Sequence, residues 1–283
     1  MVKTYQNNRS TTVPVHSGIK KKAIGKFKEV PFRKMAPNIV TLMALCSGVT
    51  TIKFAIIQNW TFAIVCLFLA CVFDGLDGRV ARKLKASSKF GAELDSLSDF
   101  VSFGVAPAVL MYQWCLNGIP HWGWIFTLMF SAGMAMRLAR FNTMLEDATV
   151  PEYWSHYFVG VPAPMAAAIA VMPLLISFAY PEYDFILRNK YLCSAIIILV
   201  AYLMVSRIPT LSLKKTRINA DYFLPLMVLF ALFVSCLLTQ PWLTLGLFTL
   251  AYLLTIPFTV IKFLHDKRAY EKNLKTDKTE IKA

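Results

Sequence analysis

The chain has 283 residues, 57% of them hydrophobic and 16% charged, and carries a formal net charge of +14. That composition excludes an ordinary soluble domain, and the placement of the basic residues around apolar runs excludes reading their sum as a nucleic-acid footprint. A bilayer core about 30 Å thick is crossed by about 20 apolar residues in a helix, so the expected fold class is all-α, a polytopic transmembrane helix bundle.

The chain opens on a basic stretch, residues 1–36, in which nine Lys and Arg precede the first apolar run. Within it KKKAIGKFKEVPFRKMA, residues 20–36, interleaves its cations with Ile24, Phe27, Val30, Phe32 and Met35. This is the pattern of a helix lying on an anionic leaflet, divided here by Pro31. A solvated tail that fixes topology is the other reading. The stretch is too long for the n-region of a signal peptide and shows no small-residue cleavage site, so the first apolar run is expected to be retained.

Eight apolar windows follow, near 38–58, 60–83, 91–114, 121–144, 158–179, 190–206, 222–239 and 242–264. The fourth, sixth and eighth are the clearest, and the fifth, with Pro162, Pro164 and Pro173, is expected to be kinked or offset. Basic residues gather after the second window (Arg82, Lys83, Lys85, Lys89) and the sixth (Arg207, Lys214, Lys215, Arg217), and again in the closing stretch 267–283, which is expected to be disordered. The opposite connections hold Arg188 and Lys190. The positive-inside rule then puts both termini in the cytoplasm, as an even number of spans requires.

The six cysteines (Cys46, Cys66, Cys71, Cys115, Cys193, Cys236) have no metal-like spacing and read as small apolar residues. Nor does any ligand spacing join the four histidines. The chemistry lies instead in Asp74, Asp77, Asp95 and Asp99, acids placed where apolar runs meet, a costly position that normally marks function. Asp74 and Asp77 stand at i and i+3 on the second window; Gly78 and Ala81 extend their face with little bulk and Arg82 closes it. Gly91, Asp95 and Asp99 follow at i, i+4 and i+8 on the third, drifting about 40° per step. The short connection between the windows makes them antiparallel neighbours whose acidic faces can meet.

Oxygen-only ligands at this density suit a hard divalent cation such as Mg²⁺ or Mn²⁺ rather than zinc. A metal pair held by three carboxylates would clamp a diphosphate, leaving Asp99 to accept a proton from an attacking hydroxyl. The bland alternative is a set of ion pairs with Arg79, Arg82 and Lys83. For Gly78 and Ala81 it is helix packing. Arg137 and Arg140, at i and i+3 on the fourth window beside Asn142, either hold an anionic group inside the bundle, snorkel to headgroups or form a structural ion pair with one of the aspartates. Ser98 and Ser102 flank Asp99 and either reach a substrate or bond to backbone.

Together these residues make D-x-x-D-G-x-x-A-R, eight residues, G-x-x-x-D-x-x-x-D, filled by Asp74, Asp77, Gly78, Ala81, Arg82, Gly91, Asp95 and Asp99. The pattern resembles the signature of the CDP-alcohol phosphotransferases. The flanking runs TLMALCSGV (41–49), ELDSLSDFVSFGVAPA (93–108), RLARFN (137–142) and FVGVPAPMAAA (158–168) are similar to the integral-membrane phosphatidylserine synthases within that family. The resemblance covers roughly residues 33 to 210.

It implies a six-helix catalytic membrane core, residues 37–210, followed by two additional helices, 211–266, and a basic tail, 267–283. Metal ligands would be Asp74, Asp77, Asp95 and Asp99, holding two ions, with Asp99 also the catalytic base. Asp74, Gly78, Ala81, Arg82 and Gly91 would bind the nucleotide and its phosphates, and Arg137, Arg140, Asn142, Ser98 and Ser102 are the acceptor-site candidates. The implied reaction joins CDP-diacylglycerol and L-serine, releasing CMP, in a homodimer within the bacterial cytoplasmic membrane with its site facing the cytoplasm. The partners are thus membrane lipids and these substrates, with no nucleic acid. Glycerol 3-phosphate, inositol phosphate or choline as acceptor is the rival within the family, and a divalent-cation transporter the rival of another class.

Overall fold

A computed structural model describes residues 32–86, 88–146, 157–206, 208–211 and 222–280. Most of the basic segment 1–36, including the interfacial pattern up to residue 31, lies outside the described residues, as do Arg207, Lys214, Lys215 and Arg217. Among the described residues the chain is all-α apart from one small ribbon.

Helix α1 (Phe32–Ile56) carries Thr41, Ser47, Thr50 and Thr51 in an otherwise apolar run. The hydroxyls of Ser47, Thr50 and Thr51 donate to carbonyls four residues back, which satisfies them inside a helix that lipid surrounds. A tight turn with Asn59 capping the Phe62 amide leads into α2 (Trp60–Leu84). Lys85, in the left-handed region at φ 50°, ends α2, with the Lys85 and Ala86 amides turned back to Arg82 and Ala81. Ser88 then caps α3 (Lys89–Asp99) by accepting from the Gly91 amide at 3.0 Å. This short, doubly capped connection makes α2 and α3 antiparallel neighbours.

Helix α3 passes through a π-helical turn, Phe100–Val105, into α4 (Ala106–Trp114), one continuous span of 26 residues. Pro107 explains the turn, since it has no amide to donate and its ring crowds the carbonyl four residues earlier, so the ladder ahead of it widens. Close approach fixes what crosses here. A β-carbon at Gly48 would lie 2.7 Å from Cα of Ser102, and one at Gly104 would lie 2.9 Å from Cγ of Met134, so α1 and α5 both press on the widened turn.

Helix α5 (Trp122–Glu146) runs back beside α3 and α4. Strand β1 (Tyr157–Val159) precedes α6 (Ala163–Ala179), which bends by 118° into Pro181–Leu187, the latter including the short α7 (Asp184–Leu187). The break falls at Tyr180, the residue before Pro181, because a proline drives its predecessor out of helical conformation; Pro173 stays inside the helix. Helix α8 (Lys190–Val205) leads to strand β2 (Pro209–Leu211), which pairs antiparallel with β1, Phe158 opposite Thr210. The fifth window was expected to be helical from residue 158; its first residues are extended instead, as the prolines that follow favour.

Helices α9 (Phe223–Thr239) and α10 (Pro241–Glu280) complete the chain. The 40 residues of α10 span about 60 Å at 1.5 Å per residue, so residues 267–280, expected as a disordered tail, continue the helix.

The core lies between α4, α5, α6 and α8, around Leu110, Met111, Phe130, Met134, Ile169, Leu174, Ile197 and Met204. A helix occupies each of the eight windows. Four are long and apolar enough to cross a membrane (Met35–Ile56, Trp60–Leu84, Lys89–Trp114, Pro241–Arg268), and five if the bent pair is one span. Among the rest, α8 and α9 are apolar but have 16 and 17 residues, and α5, expected among the clearest, is diluted by Arg137, Arg140 and its glycines. The expected count of eight spans is therefore not established by length and apolarity.

Candidate active site

The carboxyl end of α2 and the amino half of α3 meet at one end of the bundle. There Asp74, Asp95 and Asp99, each partly buried, bring one carboxylate oxygen apiece within 4.8 Å of one another. Asp74 and Asp99 are within hydrogen-bonding reach. Among the described residues none of the four motif aspartates forms an ion pair with Arg79, Arg82 or Lys83, so the reading of the cluster as a set of surface salt bridges fails. Three converging acids faced by a single guanidinium, that of Arg137, and with oxygen donors alone, fit a hard divalent cation.

Asp77 is buried and turned toward α1. The Thr41 hydroxyl donates to its Oδ2 at 2.7 Å and lies 3.1 Å from the Pro37 carbonyl. Asp77 and Asp95 both line a cavity of about 160 Å³ with a mixed polar and apolar wall, completed by Gly78, Ala81 and Gly91 of the motif and by Pro37, Asn38, Thr41, Ala86, Ser88 and Ala92. A β-carbon at Gly91 would stand 3.0 Å from the Asn38 amide oxygen, so glycine keeps the cavity open against α1. The Arg82 guanidinium lies over Gly78, at 3.7 Å from where a β-carbon would be, on the exposed rim.

A second cavity, about 230 Å³ and almost wholly apolar, is lined by residues one turn away from Asp74 on α2 and from Asp99 beyond α3. It runs among Ile64, Leu67, Phe68 and Cys71 of α2, Phe103, Met165 and Val171, and is closed by Phe233 and Leu237 of α9 and Leu245 and Phe248 of α10. Cys71 is one turn from Asp74 and close enough to Asp74 and Asp99 to feel their charge.

The cation that reaches the trio is Arg137. Its place follows from the register of α5 against α3 and α4. Ser131 donates to the Gly104 carbonyl at 3.2 Å and Asn142 Nδ2 to Ser96 Oγ at 3.0 Å, which puts Arg137 level with Asp99. Arg137 Nε donates to the Val161 carbonyl at 2.7 Å, fixing the guanidinium.

A model of the family described as CDP-alcohol phosphatidyltransferase matches residues 34–206, and one described as CDP-alcohol phosphatidyltransferase 2 matches residues 221–257. The chain belongs to the CDP-alcohol phosphatidyltransferase family. A relative in Mycobacterium leprae named CDP-diacylglycerol–serine O-phosphatidyltransferase is 37% identical over 227 residues, 80% of this chain and 75% of its own. Relatives of the same name are 32% identical over 240 residues in Helicobacter pylori, 84% of this chain and 95% of that one, and 38% identical over 172 residues in Methanocaldococcus jannaschii, 60% and 71%. CDP-alcohol phosphatidyltransferases generally depend on a divalent metal, and Asp74, Asp95 and Asp99 are the acid cluster this member offers. Its apolar helices and these relatives mark an integral membrane protein.

Within this CDP-alcohol phosphatidyltransferase, the five acceptor-site candidates part ways. Ser98 and Ser102 are buried and donate to the Thr41 and Ala44 carbonyls, both at 3.2 Å, so both hydroxyls are engaged in packing α1 on α3 and on the π-helical turn. Asn142 is engaged with Ser96, and Arg140 Nη1 reaches the Ser206 carbonyl at 3.4 Å, at the end of α8. Arg137 alone of the five stands beside the acids. Sequence reasoning missed Pro37, Asn38 and Thr41. Their signal is visible in retrospect: an amide and a hydroxyl at i and i+3 where an apolar helix begins.

Proposed function

We propose that this protein transfers the phosphatidyl group of CDP-diacylglycerol to the hydroxyl of L-serine, releasing CMP, as a phosphatidylserine synthase of phospholipid biosynthesis. The observation that carries the reading is the place of the acid trio along its helices, flanked by motif residues that line a cavity holding the Asp77 and Asp95 carboxylates and by Cys71 and Phe103 of an almost wholly apolar cavity. A nucleotide and a lipid need those two environments on either side of one bond. The names borne by its relatives supply the acceptor.

In this reading Gly78, Ala81, Gly91 and Arg82 receive the nucleotide and its phosphates, with Asn38 at the wall. Asp74, Asp77 and Asp95 hold two divalent ions, Mg²⁺ or Mn²⁺, with Asp99 beside them. When bound, such ions neutralise a diphosphate and the charge that grows on it as its bond breaks. Asp99 accepts the proton of the serine hydroxyl, whose oxygen bonds to the β-phosphorus as the bond from that phosphorus to the CMP oxygen breaks and its electron pair leaves with CMP. Arg137 offers its guanidinium to the anionic part of the acceptor.

The basic residues Arg82, Lys83, Lys85 and Lys89 flank the acids at the same end of the bundle, which supports a site and both termini facing the cytoplasm of a bacterial inner membrane. The homodimer implied by the family resemblance is part of the same proposal. A cation transporter would need its acids to continue across the bundle; among the described residues the buried polar side chains other than Asp77 are Ser and Thr hydroxyls. The test is purified protein with CDP-diacylglycerol and a panel of labelled acceptors, following CMP release with and without divalent metal. Metal-dependent turnover with serine is expected. Turnover with glycerol 3-phosphate, inositol phosphate or choline but not serine rejects the assignment.

A further inference from the structure

Among the described residues two buried side-chain atoms have no hydrogen-bond partner, Nη1 of Arg137 and Oη of Tyr252. Buried donors are nearly always satisfied, so a pair of orphans calls for an explanation. They come from helices far apart in sequence, α5 and α10, yet α6 brings them to one place. Helix α10 lies antiparallel on α6: Trp242 meets Phe178 edge-on with ring centroids 5.3 Å apart, and a β-carbon at Gly246 would stand 3.2 Å from Ile176. Going forward along α10 therefore means going back along α6, toward Val161 at its start. That carbonyl accepts from Arg137 Nε, and beside it Thr210 donates to the Gly160 carbonyl at 2.8 Å. Tyr252 lies beside the Thr210 hydroxyl without forming a well-aligned hydrogen bond to it, and Tyr252 and Asp99 both stand close enough to Arg137 to act on its guanidinium electrostatically.

We propose that Tyr252 and Arg137 together form the carboxylate-binding half of the acceptor site, so that a residue of α10 determines specificity for an amino acid. The inference rests on the transfer to serine proposed above and deepens it. A carboxylate accepts several hydrogen bonds in one plane, and a guanidinium edge with a phenolic O–H beside it supplies them. One cation plus one neutral donor also matches a monoanion. A phosphate monoester, the anionic group of glycerol 3-phosphate or inositol phosphate, carries close to two charges and would leave one uncompensated. With the carboxylate held level with Asp99, the serine hydroxyl is presented to that base.

The experiment uses the full-length protein with CDP-diacylglycerol in mixed micelles and compares wild type with Tyr252→Phe, which removes one oxygen and keeps the ring. L-serine is compared with L-serinamide, whose carboxylate is a neutral amide, measured as a substrate or, where it is not turned over, as an inhibitor of serine. For serine, kcat/KM falls at least about tenfold, mostly through KM, as expected for a hydrogen bond to a charged group. For serinamide the KM or inhibition constant changes by less than about twofold, because the lost donor has no charge to meet. The KM for CDP-diacylglycerol and the Tm stay as in wild type. Equal losses on serine and serinamide would assign Tyr252 a structural role, a raised KM for CDP-diacylglycerol would assign the pair to the diphosphate, and no change on serine would remove Tyr252 from the site; each overturns the proposal. Wild-type protein that turns over another acceptor but not serine defeats the function above and this inference with it, an outcome separable from the others because it needs no variant.

Discussion

The acid trio should make the protein less stable than it would be without it, until a cation arrives. Asp74, Asp95 and Asp99 place carboxylate oxygens within 4.8 Å of one another. A pair of full charges at that separation repels by about 3.5 kcal/mol at an effective dielectric constant of about 20. Asp74 takes part in two of the three pairs, although its hydrogen-bonding contact with Asp99 and the nearby Arg137 guanidinium each relieve part of the strain. Replacing it as Asp74→Asn keeps the shape and removes the charge, so in the presence of a chelator the variant should gain about 1–2 kcal/mol, a rise in Tm of about 2–8 °C for a chain of this size. Mn²⁺ or Mg²⁺ should raise the Tm of wild type, since a ligand that binds the folded state alone stabilises it. The variant should respond far less and should be inactive. Thermal unfolding of both proteins in detergent, with chelator and with each metal, decides the matter. A variant that melts lower than wild type in chelator, and that Mn²⁺ stabilises as much, would show that the three carboxylates are not an electrostatically loaded cation site.

Asp99→Asn should lower kcat by at least about a hundredfold while leaving the KM for CDP-diacylglycerol within about threefold, as loss of a general base demands; near-normal turnover would remove Asp99 from that role. Thr41→Val deletes the hydroxyl that orients Asp77 and should weaken apparent metal affinity by about 10–100-fold, read from the metal dependence of CMP release. Ser98→Ala should keep activity within about threefold, since that hydroxyl is engaged with the Thr41 carbonyl; a larger loss with unchanged Tm would return Ser98 to the acceptor site.

How much of this was legible in the sequence depends on the range of the interaction. Asp74 and Asp77, or Gly91, Asp95 and Asp99, share a face because helical spacing dictates it, and the short loop between them dictates that the faces meet. Nothing in that spacing says which carboxylates close up. Asp77 turns away toward Thr41, 36 residues earlier, because α1 packs there, and periodicity within α2 carries no trace of α1. The partners of Ser98 and Ser102 were hidden for the same reason: their stripe meets the backbone of α1 around Thr41 and Ala44. The π-helical turn after Asp99 was foreshadowed by Pro107, but a proline in an apolar run equally announces a kink or a break. Tyr252 gave no signal at all, since one tyrosine in an apolar helix reads as lipid-facing until a tertiary neighbour such as Arg137 is known.

The exposed basic end and the apolar interior are joined along a single helix face, and the order of residues on it explains why the chemistry sits where it does. Cys71 belongs to the wall of the apolar cavity, Asp74 to the trio, Asp77, Gly78 and Ala81 to the wall of the mixed one. These positions advance along α2 by about 1.5 Å per residue, so roughly 15 Å of helix leads from the apolar wall through the acids to Ala81. Apolar chains, a diphosphate and a nucleoside follow one another in that same sequence along a nucleotide-activated lipid. Sliding such a molecule by one helical turn in either direction would put its apolar part against Asp74 and Asp99 or its charged part against Leu67 and Phe68, and both placements are penalised by burial of an unpaired charge or by exposure of apolar surface to acids. On the proposed function the register of the bond to be broken is thereby fixed by the face of one helix, and the residues of α3, α5 and α10 would need only to supply the groups that act on it.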